Sequence, residues 1–596
     1  MSAYRFLASP LELADAPWRP LDRALLRWTL GHGGSPLLAR IAAWASFADG
    51  EGDTALPLAG AAAGRHGMSW LDEGEIEALR HEPLVGDGRA PSPFVIDGEG
   101  RFYLWRNHAH EAAVARLLRE RRGAQAQAAV DEALLDELFQ GDRSAAVLRQ
   151  REAVARAAGR RLFVLTGGPG TGKTTTVLRM LLMLQRQAGG PLAIQAGAPT
   201  GKAAQRLMQS LRQGKQALAA SLDGAWAPLL AAIPDAEALT LHRMLGYDPR
   251  RNGFARDGAH PIAADVVVVD EASMVDLAML HALLAAVRPD ATLILVGDAD
   301  QLTSVAAGSV LMDLVTALEA QQADDIVRLE HSFRAERQLV PINRAVRSGD
   351  IDALRQAFDA AGADAHWRAM NDADALRRVL ADWCGQLAEL PIRPTLPART
   401  QDGDDARAAQ AVQALRALAR RQLLSALREE SFGARALNAW IEQRLKRLWG
   451  VPEDRVWYAG RAVLITRNDY AARLYNGDVG LCLAEADGSL RVWFETVDAD
   501  GHATARSFAP GTLPLHEGGF AITVHKSQGS EYDLAAVLLP PDPDHRILSR
   551  QLLYTGLSRA RRQVELWASP PAAAAALARP IERVSGLVAR LSAAAD

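Results

Sequence analysis

From Arg160 onward, short runs of apolar, often β-branched residues alternate with a glycine or polar turn and then a helical stretch. That rhythm predicts parallel α/β construction, because strands covered on both faces by crossover helices read as unbroken apolar runs. The runs Leu162–Thr166, Leu192–Ala196, Val266–Val269, Thr292–Val296 and Ile326–Leu329 make one complete α/β domain. After a helical, charge-rich connector a second series follows, strand-like at Leu423–Leu427, Val463–Thr466, Ala535–Leu539 and Val564–Trp567, so two α/β cores in tandem are expected. Between Val479 and Phe508 the strands are shorter, alternate in polarity and are split by the turn signals ADGS and DADG, which predicts a small all-β insertion.

The first ~125 residues lack phosphate-binding glycines and read as mostly helical, apart from one hairpin, PFVIDGEGRFYLW, turned by Asp97 to Gly100. Large apolar side chains near its turns, Trp18, Trp28, Phe94 and Trp105, suit either a small local core or exposed anchors for a partner. The polar, alanine-rich RRGAQAQAAVDEALL reads as a linker, and PPAAAAALARP as a low-complexity patch. The expected division is 1–125, 126–335 and 336–596, with the β insertion at about 470–515 inside the last.

A length of 596 residues, at roughly 100 to 200 per domain, allows three to five folded units. With 49% hydrophobic and 23% charged residues the composition is that of a globular chain and excludes general disorder. Cys384 and Cys482 are too few for a disulfide framework or a thiolate zinc site. The N-terminus has no basic stretch followed by an apolar core, and no run approaches the ~18 apolar residues of a membrane span, so a cytoplasmic location is expected. A net charge of −4 leaves a nucleic-acid partner open only if Lys and Arg gather along a local groove.

The strongest chemical signal is GGPGTGKT, Gly167 to Thr174, placed directly after the LFVLT strand and directly before a helical stretch. Gly167, Gly168, Gly170 and Gly172 let the backbone curl so that successive N–H groups and the helix N-terminus face phosphates, with Pro169, Thr171 and Thr175 completing the loop. Lys173 would reach the β and γ phosphates of ATP and Thr174 would coordinate Mg²⁺. Asp270 and Glu271 end the VVVV strand at the carboxyl edge of the sheet, where Asp270 suits Mg²⁺ and Glu271 suits a base for the attacking water. Alone, such a pair is as well explained as a helix cap. The next strand ends with Gln301 nearby, an amide able to sense the γ-phosphate. Positive charge for the transition state is offered by Arg334 in HSFR and Arg559 in YTGLSRAR.

In order, GGPGTGKTTT, APTGKAAQRL, TLHRMLG, VVVDEASM, LVGDADQL, LEHSFR, TVHKSQGSEYD and LLYTGLSRAR resemble the motif series of superfamily 1 helicases, specifically the RecD branch. ALREESFGARALNAWIE, LITRNDYAARLYNGD and the N-terminal hairpin with RLLRERR extend the resemblance over nearly the whole chain. It implies two tandem RecA-like P-loop domains, an SH3-like β insertion and a partner-docking N-terminal domain. It further implies an ATPase set of Lys173, Thr174, Asp270, Glu271, Gln301, Arg334 and Arg559, with Gln528 near the γ-phosphate and Gln150 at the adenine. The DNA-contact set it implies is Thr200, Lys202, Thr240, His242, Arg243, Thr523, His525 and Lys526, whose other reading is helix capping and surface solvation. The final motif departs from the usual form at Gly556 and Ser558 and keeps Arg559.

The resemblance implies 5′ to 3′ movement on single-stranded DNA, and RecB-like and RecC-like subunits as partners in a heterotrimer acting on duplex ends. A different reading is an ATP-gated structural subunit that does not translocate; charge placed for hydrolysis favours the motor. A nuclease reading would have to use Asp542, Asp544 and His545, or His108 and His110, and neither group offers the convergent carboxylates of a metal nuclease centre, which would belong to a partner.

Overall fold

A computed structural model describes residues 16–59, 68, 71–123, 130–222, 224–234, 239–333, 339–398, 404–469, 471–498 and 502–593. The first α/β core is built on a six-stranded sheet in the order Ile326–Leu329, Leu162–Gly167, Thr292–Gly297, Val266–Val269, Ile194–Ala198, Leu239–Thr240, every pair parallel. Each apolar run expected there is a strand of this sheet, the run at Leu192 being displaced to Ile194–Ala198. Val266 to Val269 are all buried, as a strand covered on both faces requires. The second core has five parallel strands in the order Ala365–Arg368, Ala560–Trp567, Tyr532–Leu538, Arg421–Ser425, Ala521–Thr523.

The run Val463–Thr466 does not join that second sheet. Its strand, Ala462–Ile465, lies in a five-stranded antiparallel sheet between Val479–Ala484 and His516–Gly518, with Leu490–Val497 and Ala503–Phe508 beyond. The run is apolar at every position because the small sheet packs onto the second core. Ala462 and Leu464 point into the clusters of that core, while Val463 and Ile465 fill the insertion's own cluster with Cys482 and Phe494. An element buried on both faces has lost the alternation that marks an antiparallel strand.

The N-terminal region combines helices, among them Pro20–Gly31, Pro36–Gly50 and Glu73–Arg80, with a sheet of four short strands. The hairpin Phe94–Ile96/Arg101–Leu104 is present; the Asp97 carboxylate accepts the N–H groups of Glu99 and Arg101, each at 3.0 Å, and pins the turn. Trp18 and Phe94 are core residues here, buried against Trp44 and Phe102, and only Trp28 of the four aromatics is exposed. The helix Trp105–Gly123 leaves this region and packs on the first core, contributing Val114, Ala115 and Leu118 to its main cluster. Buried Arg121 at its end donates to the carbonyls of Leu284, Val287, Arg288 and Ala291, satisfying the end of the helix Leu277–Ala286.

The alanine-rich tail segment is a helix, Pro570–Ala578, capped by Ser569, with Ala572, Ala573, Ala576 and Leu577 buried in the second core. Small side chains let it lie close to its neighbours, so composition that reads as low complexity is packing. The chain then returns across the molecule. Arg583 donates to the carbonyls of Ser304, Ala306 and Gly308, Val584 is tied to Asp53 and Thr54, and the helix Leu587–Ser592 packs between the first core and Trp105–Gly123. Among the described residues no helix is long and apolar enough to cross a membrane.

Candidate nucleotide site and nucleic-acid interface

The loop after Leu162–Gly167 turns sharply into the helix Lys173–Gln187, and it does so through Gly170 and Gly172, at φ +75° and +81°. Side chains with a Cβ are strained there. The loop is held from beneath: Thr171 donates to the Gly168 carbonyl at 2.8 Å, and Gln150 donates its buried amide to the Thr171 carbonyl at 3.2 Å. Lys173 lies back over the loop, its ammonium donating to the carbonyls of Gly167 and Gly168 at 2.7 and 3.0 Å. Thr174 and Thr175 follow in the first helical turn, facing the same cavity.

Asp270 and Glu271 come next to this loop because Val266–Val269 ends beside Thr292–Gly297 at the carboxyl edge of the sheet. Burial and the neighbouring Glu271 push Asp270 up to about 6, against the pull of Lys173, and burial also raises Asp298. Glu271 sits at φ +52°, a left-handed conformation that costs a non-glycine residue about 1–3 kcal/mol. Gln301 donates to Asp298 at 2.9 Å, and Asp298 also accepts the Tyr554 hydroxyl at 3.1 Å from the second core.

The cavity is walled by both cores. Its lining runs from Pro169 to Thr175, Asp270, Glu271, Asp298 and Gln301 on one side to Glu531 and Arg559 on the other. Arg559 is buried; Nε donates to the Thr555 carbonyl at 3.1 Å and Nη1 to Ser530 at 3.3 Å. Its Nη2, like Oε1 of Gln301, is buried with no hydrogen-bond partner among the described residues. Buried polar atoms are usually paired, so both atoms stand out beside the cavity.

Of the remaining expected residues, Arg334 lies outside the described residues, although the Phe333 N–H just before it donates to the Gly170 carbonyl at 2.8 Å. Gln528 donates to the Leu302 carbonyl at 3.0 Å and joins the two cores. Thr200, Thr240 and Thr523 each cap a turn, accepting the N–H of Ala203, Arg243 and Lys526. Lys202 reaches the Gly477 carbonyl at 3.1 Å, and burial pulls its ammonium down to about 8 against the opposing charge of Asp478. Lys526 is paired with Glu517, and burial lowers His525. His242 and Arg243 are exposed, with His242 edge-on to Tyr247 at 5.4 Å. His110 contacts His281 at 2.8 Å, and Asp544 lies 3.4 Å from Arg579.

Sequence reasoning passed over Arg206, Asp298 and Glu531, which line the cavity, and over the aromatic pair Tyr247 and Phe254 beside His242. Arg206 and Glu531 lie inside the quoted motifs, so the signal was available; their pairing across the cleft was not.

Residues 150–307 match the family described as AAA domain, and residues 518–566 the UvrD-like helicase C-terminal domain. The RecBCD enzyme subunit RecD of Mycobacterium tuberculosis (strain ATCC 25618 / H37Rv) is 37% identical over 539 residues, 89% of this chain and 86% of that protein. The chain belongs to the RecD family. The Haemophilus influenzae member is 34% identical over 480 residues, 74% of this chain and 71% of its own length. The ATP-dependent RecD2 DNA helicase of Deinococcus radiodurans is 32% identical over 474 residues, covering 78% of this chain and 54% of that protein. Both family matches overlap the cavity, one carrying its glycine-rich loop and the other Glu531 and Arg559.

Proposed function

We propose that this ATP-dependent DNA helicase is the RecD subunit of a heterotrimer with RecB-like and RecC-like chains, moving 5′ to 3′ on single-stranded DNA as duplex ends are unwound. The observation that carries the reading is Arg559: a buried guanidinium that the second core brings to the wall of a cavity whose phosphate loop belongs to the first. Only a closed cleft brings them together, so hydrolysis is tied to the relative position of the cores, as a translocating motor requires.

In this reading the loop Gly167 to Thr175 holds the phosphates, Lys173 bridges the β and γ groups, Glu271 orients the attacking water, Gln301 senses the γ-phosphate, and Arg334 and Arg559 neutralise developing charge. Thr174 and Asp270 are hard oxygen donors facing one cavity; they would hold Mg²⁺, which supplies charge neutralisation on the phosphates. Gln150 braces the loop from below and Gln528 joins the cores at Leu302, positions next to the nucleotide rather than on the cavity wall. Thr200, Lys202, Thr240, His242, Arg243, Thr523, His525 and Lys526 form the track for DNA phosphates and bases, with Tyr247 and Phe254 adding stacking surface. The antiparallel insertion is an SH3-like unit flanking that track, and the protein works in the cytoplasm.

In this reading the docking domain gives way to the motor within the helix Trp105–Gly123, whose first turn packs beside Val95 and Tyr103 and whose later turns add Val114 and Leu118 to the first core. Leu21 and Trp28, two turns apart on the helix Pro20–Gly31 and both exposed, are then the anchors offered to partner subunits. A strand-displacement assay on duplexes with 5′ or 3′ overhangs, with and without co-expressed partner chains, tests the proposal. Unwinding only from 3′ overhangs would refute the polarity, and nucleotide binding without displacement in any context would favour the structural subunit.

A further inference from the structure

The helix Gly201–Ala219 touches three bodies within its first two turns. Its first turn abuts the insertion: a Cβ on Gly201 would lie 2.7 Å from the Tyr475 ring, and Lys202 donates to the Gly477 carbonyl at 3.1 Å. One turn on and on the same face, Arg206 lines the nucleotide cavity and crosses to the second core. Its guanidinium donates to the Gly529 carbonyl and pairs with Glu531 at 2.8 Å. The other oxygen of Glu531 is held by Arg561, also at 2.8 Å, within the second core.

The segment from Gly529 to Tyr532 is therefore gripped from two sides. Arg206 of the first core holds Gly529 and Glu531, whereas Arg559 donates to the Ser530 carbonyl and accepts the Tyr532 N–H through its own carbonyl. A shift of the segment relative to the phosphate loop must move Arg559 with it. Arg206, together with the Gln528–Leu302 bond, resists such a shift, and it sits on the helix whose N-terminal turn carries Thr200 and Lys202. Its fork, with one donor on a carbonyl and another on a carboxylate, fixes direction as well as distance, which a single ammonium does not.

We propose that Arg206 is a positioning residue that couples the two ligand sites, transmitting closure of the nucleotide cavity to the DNA end of its own helix and setting Arg559 through the segment Gly529–Tyr532. This rests on the reading above that the cavity takes ATP and that Thr200 and Lys202 meet DNA. Coupling between two sites is a reciprocal free energy, so it is measurable from binding alone.

The test measures the affinity of full-length protein for a fluorescent oligo-dT, and of a fluorescent non-hydrolysable ATP analogue, each with and without the other ligand at saturation. In the wild type each ligand changes the other's affinity by the same factor, at least about fivefold, the lower end of usual couplings. Arg206→Ala brings both factors to within about twofold of unity, Arg206→Lys recovers part of the loss, and Arg561→Ala, which leaves the bridge between cores in place, keeps the wild-type factor. Melting curves establish that each variant is folded. A wild-type factor retained in Arg206→Ala, or one lost equally in Arg561→Ala, overturns the inference. A wild-type protein that binds both ligands with no coupling overturns it as well, while failure of the wild type to bind nucleotide or DNA at all removes the functional reading beneath it.

Discussion

Replacing Arg559 by Ala separates catalysis from folding. The side chain donates two charged hydrogen bonds to backbone carbonyls, those of Thr555 and Ser530, each worth about 1.5–3 kcal/mol, while its third nitrogen, Nη2, is buried with no partner among the described residues, at a penalty of about 1–3 kcal/mol. Removing all three leaves a net folding cost of roughly 2 kcal/mol, which a protein of this size survives. The effect on the reaction is larger. A guanidinium that meets charge developing on the γ-phosphate is worth about 10³-fold or more in turnover, close to 4 kcal/mol at about 1.4 kcal/mol per decade. Ground-state nucleotide affinity should stay within a few-fold, because the phosphate loop and Lys173 belong to the other core. Single-turnover hydrolysis beside equilibrium binding of a fluorescent nucleotide reads both quantities, and Arg559→Lys, which keeps charge but not the fork, should recover less than about tenfold. Hydrolysis within tenfold of wild type in a folded Arg559→Ala would show that the residue merely braces the Ser530 and Thr555 backbone.

Lys173→Ala should abolish hydrolysis and unwinding with little change in melting temperature, since among the described residues the ammonium's hydrogen bonds go to two loop carbonyls and the buried carboxyl of Asp270 it faces can take up a proton instead; normal turnover in that variant would end the phosphate-loop assignment. With Lys202 pulled down to about 8, its charge is lost as pH rises through that value, so single-strand affinity should fall between about pH 7 and 9 and flatten in Lys202→Arg, measured by fluorescence anisotropy. The sign for folding is opposite: the charged form is disfavoured in the folded state, so this residue's destabilising contribution is full below about 8 and disappears as pH rises toward the unfolded value of about 10.4. Deleting residues 1 to 104 should leave DNA-stimulated ATPase within a few-fold and abolish co-purification with partner subunits. A cut at 123 should instead destabilise the motor, because Val114 and Leu118 are fully buried in the first core at about 1.5–3 kcal/mol each.

Local pattern alone located most of the parallel strands, the glycine-rich loop and the acidic pair that meet at the cavity, for a physical reason. A strand buried on both faces must be apolar throughout, and a loop that cradles phosphate must have glycines where φ is positive, so both constraints are written in contiguous residues. The same locality misled at Ala462–Ile465, where four apolar residues reported burial but not which sheet they joined, and it left Trp18 and Phe94 open between core and anchor, because size announces packing energy without saying whether the partner is internal. It also set the alanine-rich Pro570–Ala578 aside, although small residues are what close helix packing requires. The Arg206–Glu531 pair, the approach of Arg559 to a loop almost four hundred residues earlier, and the return of Arg583 to Ser304–Gly308 join positions with no common local signal. Tertiary structure alone decides these contacts, because ion pairs and hydrogen bonds depend on angstrom distances that chain topology creates and sequence spacing does not encode.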